Sequence, residues 1–225
     1  MEFPATAMIP VAFLSGSIPT GLLIGRAKGI DIRQHGSRNI GATNVGRVLG
    51  KPWFFVCFAI DFLKGCLPAL AAGHLLGVLG SMDLSPAAAW TWLAVMMAAV
   101  LGNVLNPWLG FKGGKGVATS IGAMSGVFPP LAVPGAAIFV VWLAMRRAFG
   151  YVSLASIVAG LCLAPFTAGL FLAWGSVRGL WPFVAVATAL GLLVVWTHRA
   201  NIARLRAGTE PKAGVRVHAE QAKAC

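Results

Sequence analysis

The sequence predicts an all-α fold, a polytopic transmembrane bundle of seven spans with the N-terminus outside and the C-terminus in the cytoplasm. The first observation behind this is composition. Apolar residues make up 58% of the chain and charged residues 11%, with a mean hydropathy of +0.80. A water-soluble domain needs more charge than that on its outside, so lipid must solvate most of this surface. The second is length. At about 20 apolar residues per crossing, seven spans and their connections use nearly all 225 residues. The third is charge placement. All but Lys64 and Arg178 of the 18 Lys and Arg fall on alternate connections, which the positive-inside rule assigns to the cytoplasm.

The apolar stretches run Ala5–Gly25, Pro52–Leu79, Ala87–Leu109, Val117–Phe128, Leu131–Met145, Val152–Leu172 and Trp181–Trp196. No Lys or Arg precedes the first, and no clean small-residue cleavage site follows it, so it reads as a span and not as a signal peptide. The fourth and fifth are short, and Pro129-Pro130 and Pro134-Gly135 mark a tight reversal between them. Two tilted or partial spans fit. Merging them into one broken helix would leave six spans and place Arg146, Arg147 and the basic tail outside. Residues 1–225 form a single integral-membrane domain, with 213–225 as a flexible cytoplasmic tail. No internal repeat is evident, which weakens a transporter reading.

The net charge of +12 against six acids points, on this apolar background, to membrane lipid and anionic substrates, not to nucleic acid. Cys57, Cys66 and Cys162 fall in apolar stretches and Cys225 in the tail, with no metal-ligand spacing. No metal, cofactor or obligate protein partner is expected.

Three polar segments carry the chemistry. The first, His35 to Arg47, holds Ser37, Asn39, Thr43, Asn44 and Arg47 among three glycines. Converging N–H groups, hydroxyls, amides and a planar guanidinium suit an oxyanion, although an interfacial helix meeting lipid headgroups would use similar residues. The second, Gly110 to Gly116, places Lys112, Gly113, Gly114, Lys115 and Gly116 immediately before a helix, a recurrent phosphate cradle. It is not a nucleotide loop of the Walker type. Leu109 stands where the first glycine belongs, and Gly116 where Ser or Thr belongs. The third runs from His198 through Asn201 to Glu210. On a continuing helix His198 and Asn201 share a face, and His198 suits proton transfer, although it could equally serve as a helix-end dipole partner. Asp61 and Lys64 inside the second span read as a structural pair. Ser153 opens a span beside the basic turn. All three segments lie on connections that charge alone assigns to the cytoplasm.

Together and in this order, these segments resemble the bacterial acyl-phosphate:glycerol-3-phosphate acyltransferase family. The matching residues are Ser17-Ile18-Pro19, Gly36-Ser37 with Asn39, Gly41-Ala42-Thr43-Asn44, Arg47, Asp61 with Lys64-Gly65, Phe111 to Thr119, and His198 to Glu210. The resemblance implies a seven-span enzyme of the bacterial inner membrane with its active site facing the cytoplasm. Its substrates would be acyl phosphate and glycerol 3-phosphate, acylated on the 1-hydroxyl, and its products lysophosphatidic acid and phosphate, the first acylation of phospholipid synthesis. Ser37, Arg47, His198 and Asn201 would be catalytic. Asn39, Thr43, Asn44, Lys112, Gly113, Gly114, Lys115, Gly116 and Ser153 would bind substrate, and Asp61, Lys64 and Glu210 would be structural. Arg38 stands where the family has glycine, Asn103 where it has histidine, and Thr197 where it has a basic residue.

The chain holds no G-x-S-x-G elbow and few bases. Direct attack by the glycerol hydroxyl on an already activated acyl phosphate is therefore expected, with a substrate phosphate taking the proton and His198 as the alternative base. A transporter or scramblase for an anionic lipid or phosphate ester is the competing class. It would need polar groups at mid-membrane, where the sequence has only Asp61 and Lys64.

Overall fold

The computed structural model describes residues 4–176 and 179–213. The tail beyond residue 213 and Arg178, which entered the charge reading, lie outside the described residues. Every regular element among the described residues is helical. The first apolar stretch is two helices, α1 (Met8–Gly16) and α2 (Thr20–Ala27), because Pro19 has no N–H to continue the ladder. After a loop come the short α3 (Ala42–Leu49) and the long α4 (Lys51–Leu75). Next are α5 (Pro86–Val104), α6 (Val117–Gly126), α7 (Ala132–Phe149), α8 (Val152–Trp174), α9 (Leu180–Thr197) and α10 (Arg199–Arg206).

Five segments are long and apolar enough to cross a bilayer, and a sixth if α9 and α10, bent by 57° at His198, are taken together. The expected count of seven falls short at Val117–Phe128. Only ten of those residues are helical, about 15 Å of rise against a hydrocarbon core of about 30 Å. α6 and α7 are nonetheless separate helices, divided by the Pro129-Pro130 turn. Gly116 packs on Val100 and Val104 at the C-terminal end of α5. At the other end of α6, the Phe128 carbonyl accepts the Gly80 N–H from the α4–α5 connection. The short helix and its flanks thus bridge the two ends of α5.

Small residues let the helices meet backbone to backbone, as bilayer packing requires where no hydrophobic force separates lipid from protein. A Cβ on Gly16 of α1 would overlap the Ala99 carbonyl of α5, and one on Gly102 would overlap the Phe13 carbonyl in return. α4 and α6 meet the same way at Gly65 against Thr119 and Gly122 against Phe62. Trp92 of α5 is fully buried and donates its indole N–H to Ala69 of α4 at 2.7 Å. Outward-facing Leu67, Val140 and Leu192 remain exposed, on the faces that lipid covers.

Gly16→Val should therefore cost several kcal/mol of overpacking and lower the thermal midpoint in detergent by 10 °C or more, or abolish a monodisperse peak. Gly169→Ala, where a Cβ meets nothing within 4 Å, should leave the midpoint within about 2 °C.

Candidate active site

The first polar segment is built around one side chain. Asn44, 2% exposed in the first turn of α3, donates through Nδ2 to the carbonyls of Ile32 (3.2 Å), His35 (3.0 Å) and Asn39 (2.8 Å). Its Oδ1 accepts the Ser37 N–H at 2.7 Å. Asn39 closes a smaller turn by accepting the Gly41 N–H at 2.9 Å. The turn needs left-handed backbone at Gly36 (φ +60°) and Arg38 (φ +59°). At Arg38, where the resembling family has glycine, an L side chain meets that demand at some strain. Asn44 therefore spends both ends of its amide on shaping the loop, and Asn39 its Oδ1. Ser37 stays exposed, with its backbone and not its hydroxyl engaged in the loop. Thr43 and Arg47, four apart, share a face of α3 while Ala42 and Val45 are buried.

The glycine loop is held differently from the expectation. The Gly113 N–H donates to the Val104 carbonyl and the Gly114 N–H to the Asn103 carbonyl, each at 3.1 Å. These two donors satisfy the C-terminal end of α5, where a helix leaves carbonyls unpaired, and so are already engaged. The glycines serve close approach, since a Cβ at Gly113 would overlap the Asn103 carbonyl. Gly116, with φ +75°, turns the chain into α6. The first intrahelical bond of α6 is Ser120 N–H to Gly116 at 2.7 Å. The N–H groups at the start of α6 and Lys115 are what this segment can offer an anion. Lys112 points into solvent apart from them.

Lys115 joins the second and third segments. Its Nζ donates to Asn201 Oδ1 at 2.5 Å, and Asn201 Nδ2 donates to Glu210 Oε1 at 2.6 Å. The same carboxylate accepts Ser153 Oγ at 2.7 Å and Arg204 Nε at 2.7 Å. Arg47 reaches this cluster through Nη2 to the Pro211 carbonyl at 3.4 Å. The first segment touches the second where Ile40 lies against Gly114. His198 is 2% exposed at the break beyond α9, and its Nδ1 lies 2.8 Å from the Val194 carbonyl. A carbonyl can only accept, so Nδ1 carries the proton and Nε2 is left with the lone pair.

Burial lowers the pKa of Lys115 to about 8, Glu210 pulling it up and Arg204 and Arg47 pushing it down. Burial likewise lowers Arg47 from its usual value, with Glu210 opposing. Burial and the neighbouring Lys115 hold His198 down at about 4, so it is neutral at pH 7. For Glu210, burial pushes upward, but the hydrogen bonds from Asn201, Ser153 and Arg204 outweigh it and keep the carboxylate ionised. Among the described residues Glu210 is the one carboxylate that balances Lys115, Arg47 and Arg204, which leaves the site cationic.

A family model described as glycerol-3-phosphate acyltransferase matches residues 6–208. The chain belongs to the glycerol-3-phosphate acyltransferase family. The glycerol-3-phosphate acyltransferase of Geobacter metallireducens is 47% identical over 88% of this chain and 92% of its own length. That of Thermosynechococcus vestitus is 42% identical over 91% and 92%. The crystal structure of PlsY (YgiH), an integral membrane glycerol 3-phosphate acyltransferase, in its glycerol 3-phosphate form is similar with a TM-score of 0.78. It is 37% identical, covering 97% of this chain and 98% of that one. The lysophosphatidic acid form gives a TM-score of 0.76, with coverage of 94% and 96%. The chain is thus an integral membrane acyltransferase of this family, and the donors just described are its candidate site.

The sequence reading passed over two participants. Arg204 sits three residues past Asn201 on α10, a spacing that could have marked it. Asn106, followed by proline just past the end of α5, carried a turn signal only. Asp61 and Lys64 pair at 2.7 Å within α4, away from the cluster. Since Glu210 raises the pKa of Lys115, Glu210→Gln should move it below about 8. The pH midpoint of Lys115 labelling by an amine-selective reagent checks this.

Proposed function

We propose that this enzyme transfers a fatty acyl group from acyl phosphate to the 1-hydroxyl of glycerol 3-phosphate, releasing lysophosphatidic acid and phosphate, by direct attack without an acyl-enzyme. The observation that carries the reading is the cationic surplus. Lys115 and Arg47 are both partly desolvated, and the carboxylate nearest them is already held by Ser153, Asn201 and Arg204. A phosphate-bearing reactant supplies the missing negative charge.

An apolar groove between α6, α7, α8 and α9 supports a lipidic donor. It starts at Val117 and Val194, beside Lys115 and His198, and continues past Met124, Ile138, Leu163 and Leu190. An acyl chain lying there would present its carbonyl carbon to the cluster. The glycerol hydroxyl oxygen attacks that carbon, the bond to the phosphate oxygen breaks, and phosphate leaves with its electron pair. A neutral His198 with a pKa of about 4 is a weak base, so a substrate phosphate oxygen takes the hydroxyl proton. Catalysis then rests on alignment and on stabilising the departing phosphate, with Lys115 and Arg47 as the cations, Ser37 and Thr43 as hydroxyl donors, and Asn201, Ser153 and Glu210 fixing Lys115.

The same reading places residues 1–225 as one unit of the bacterial inner membrane, with seven crossings, the N-terminus outside and the site facing the cytoplasm. Support comes from the basic residues on alternate connections and from α6 linking opposite ends of α5.

Purified protein given acyl phosphate should release phosphate in step with glycerol 3-phosphate added, and no such release would overturn the reading. A mass increase of one acyl group on Ser37 after quenching would overturn direct transfer. Lys115→Met should raise KM for glycerol 3-phosphate roughly 10- to 100-fold, from about 1.5–3 kcal/mol for a hydrogen bond to a charged group. His198→Gln should keep kcat within about tenfold, below the usual loss of a general base. The phosphate dianion forms above a pKa of about 6, and Lys115 loses its proton above about 8. Apparent affinity for glycerol 3-phosphate should therefore peak between these values and fall on the alkaline side. Lys115→Arg should extend the alkaline limb beyond pH 9.

A further inference from the structure

The break in the first span leaves carbonyls that the helix itself cannot satisfy, and two polar side chains from elsewhere meet them. Lys64 of α4 donates Nζ to the Ile18 carbonyl at 2.7 Å, and Asn106, fully buried after α5, donates Nδ2 to the Ser17 carbonyl at 2.6 Å. Asp61 holds Lys64 from one side at 2.7 Å, which keeps the ammonium tolerable in an apolar interior. Asn106 does more than accept a neighbour. Its Oδ1 takes the Trp108 N–H at 3.1 Å, and its carbonyl takes those of Leu109 (3.1 Å) and Phe111 (2.9 Å). One residue therefore ties the break to the start of the glycine loop.

Both sides of that tie lead to the site. Beyond the break, α2 is the floor of the first polar segment. Gly21 sits so close to the Ile40 carbonyl that a Cβ would overlap it, and Gly25 lies against Ile30 and Ile32. Beyond Asn106, the loop leads through Gly113 to Lys115, which Asn201 grips. We infer that Asn106 and Lys64 are positioning residues, setting the register of the Ser37–Arg47 segment against the Lys115 loop by clamping the unwound Ser17-Ile18 carbonyls between them. Neither touches a reactant. Their effect is on how the two reactants face one another, and the inference rests on the two-substrate reading of the site proposed above.

That role predicts a split in kinetics. Each reactant keeps its own donors, so KM for each should stay within about threefold of the parent while kcat falls by about 10²-fold, as ångström-scale misplacement does in oriented reactions. Two variants test it. Asn106→Asp preserves size and the acceptor for Trp108 but loses the donor to Ser17. Asp61→Asn combined with Lys64→Met removes both buried charges along with the donor to Ile18. Glycerol 3-phosphate should raise the melting temperature of each variant and of the parent alike, showing a folded site, while phosphate release slows in the variants. A kcat within threefold of the parent in either folded variant overturns the inference, as does a KM that rises in step with the loss of kcat. Failure of both variants to give monodisperse, glycerol-3-phosphate-responsive protein also overturns it, in favour of a purely structural role. A parent enzyme that releases no phosphate would instead count against the proposed reaction.

Discussion

The arrangement depends on keeping an ammonium group charged where water is scarce. Lys115 is half-buried at the mouth of an apolar bundle, and its loss of water disfavours the cation. Asn201 supports it directly, and Glu210 supports it electrostatically from behind the amide. Glu210 can do so only because Ser153, Asn201 and Arg204 saturate it with donors, which keeps it ionised despite its own burial. The carboxylate thus acts on Lys115 through the amide and not by direct contact, which leaves the ammonium free for the phosphate of the proposed reaction.

The shortness of α6 is what creates this condition. With ten residues, α6 starts beside Val100 and Val104, inside the end of α5, and the glycine loop must fold back against α5 to reach that point. Folding back needs a residue without a Cβ at 113, where one would overlap the Asn103 carbonyl, and the N–H groups of Gly113 and Gly114 then meet the Val104 and Asn103 carbonyls. Helix length, loop composition and the electrostatics of Lys115 are therefore one structural fact seen at three scales.

What could be read from the sequence follows from the range of the forces involved. Hydropathy and the placement of Lys and Arg are properties of the chain alone, so the all-helical membrane fold and the gathering of the third segment around Ser153, Asn201 and Glu210 were legible. The number of helical residues between Val117 and Phe128 was not, because an apolar stretch reports what lipid tolerates and not where hydrogen bonding stops. The glycines at 113 and 114 read as free donors, and the structure engages both of their N–H groups with the end of α5. A free N–H and one that closes the end of α5 look identical in sequence. The part Asn44 plays in shaping the loop was hidden for the same reason, since its hydrogen bonds to Ile32, His35 and Asn39 exist only once the loop has closed. Asn106 was invisible because its chief partner, Ser17, lies 89 residues away.

These contacts also bear on how an enzyme poor in bases could be fast. Phosphate is present on both reactants and on both products of the proposed reaction, so a cation that binds phosphate equally throughout adds nothing to kcat, and Lys115 and Arg47 contribute only as charge builds on the departing phosphate. Acceleration must come from groups that improve as the reaction proceeds, or from geometry fixed beforehand. The neutral, tightly held His198 offers little of the first. The second is what the structure supplies in quantity: a carboxylate locked by three donors, an asparagine closing the first loop on itself, and a break in the first span clamped from both sides. If the donor is the activated mixed anhydride proposed above, holding two anionic reactants at a fixed separation is the larger part of the work, and on that proposal rigidity at the ends of the helices substitutes for a catalytic base.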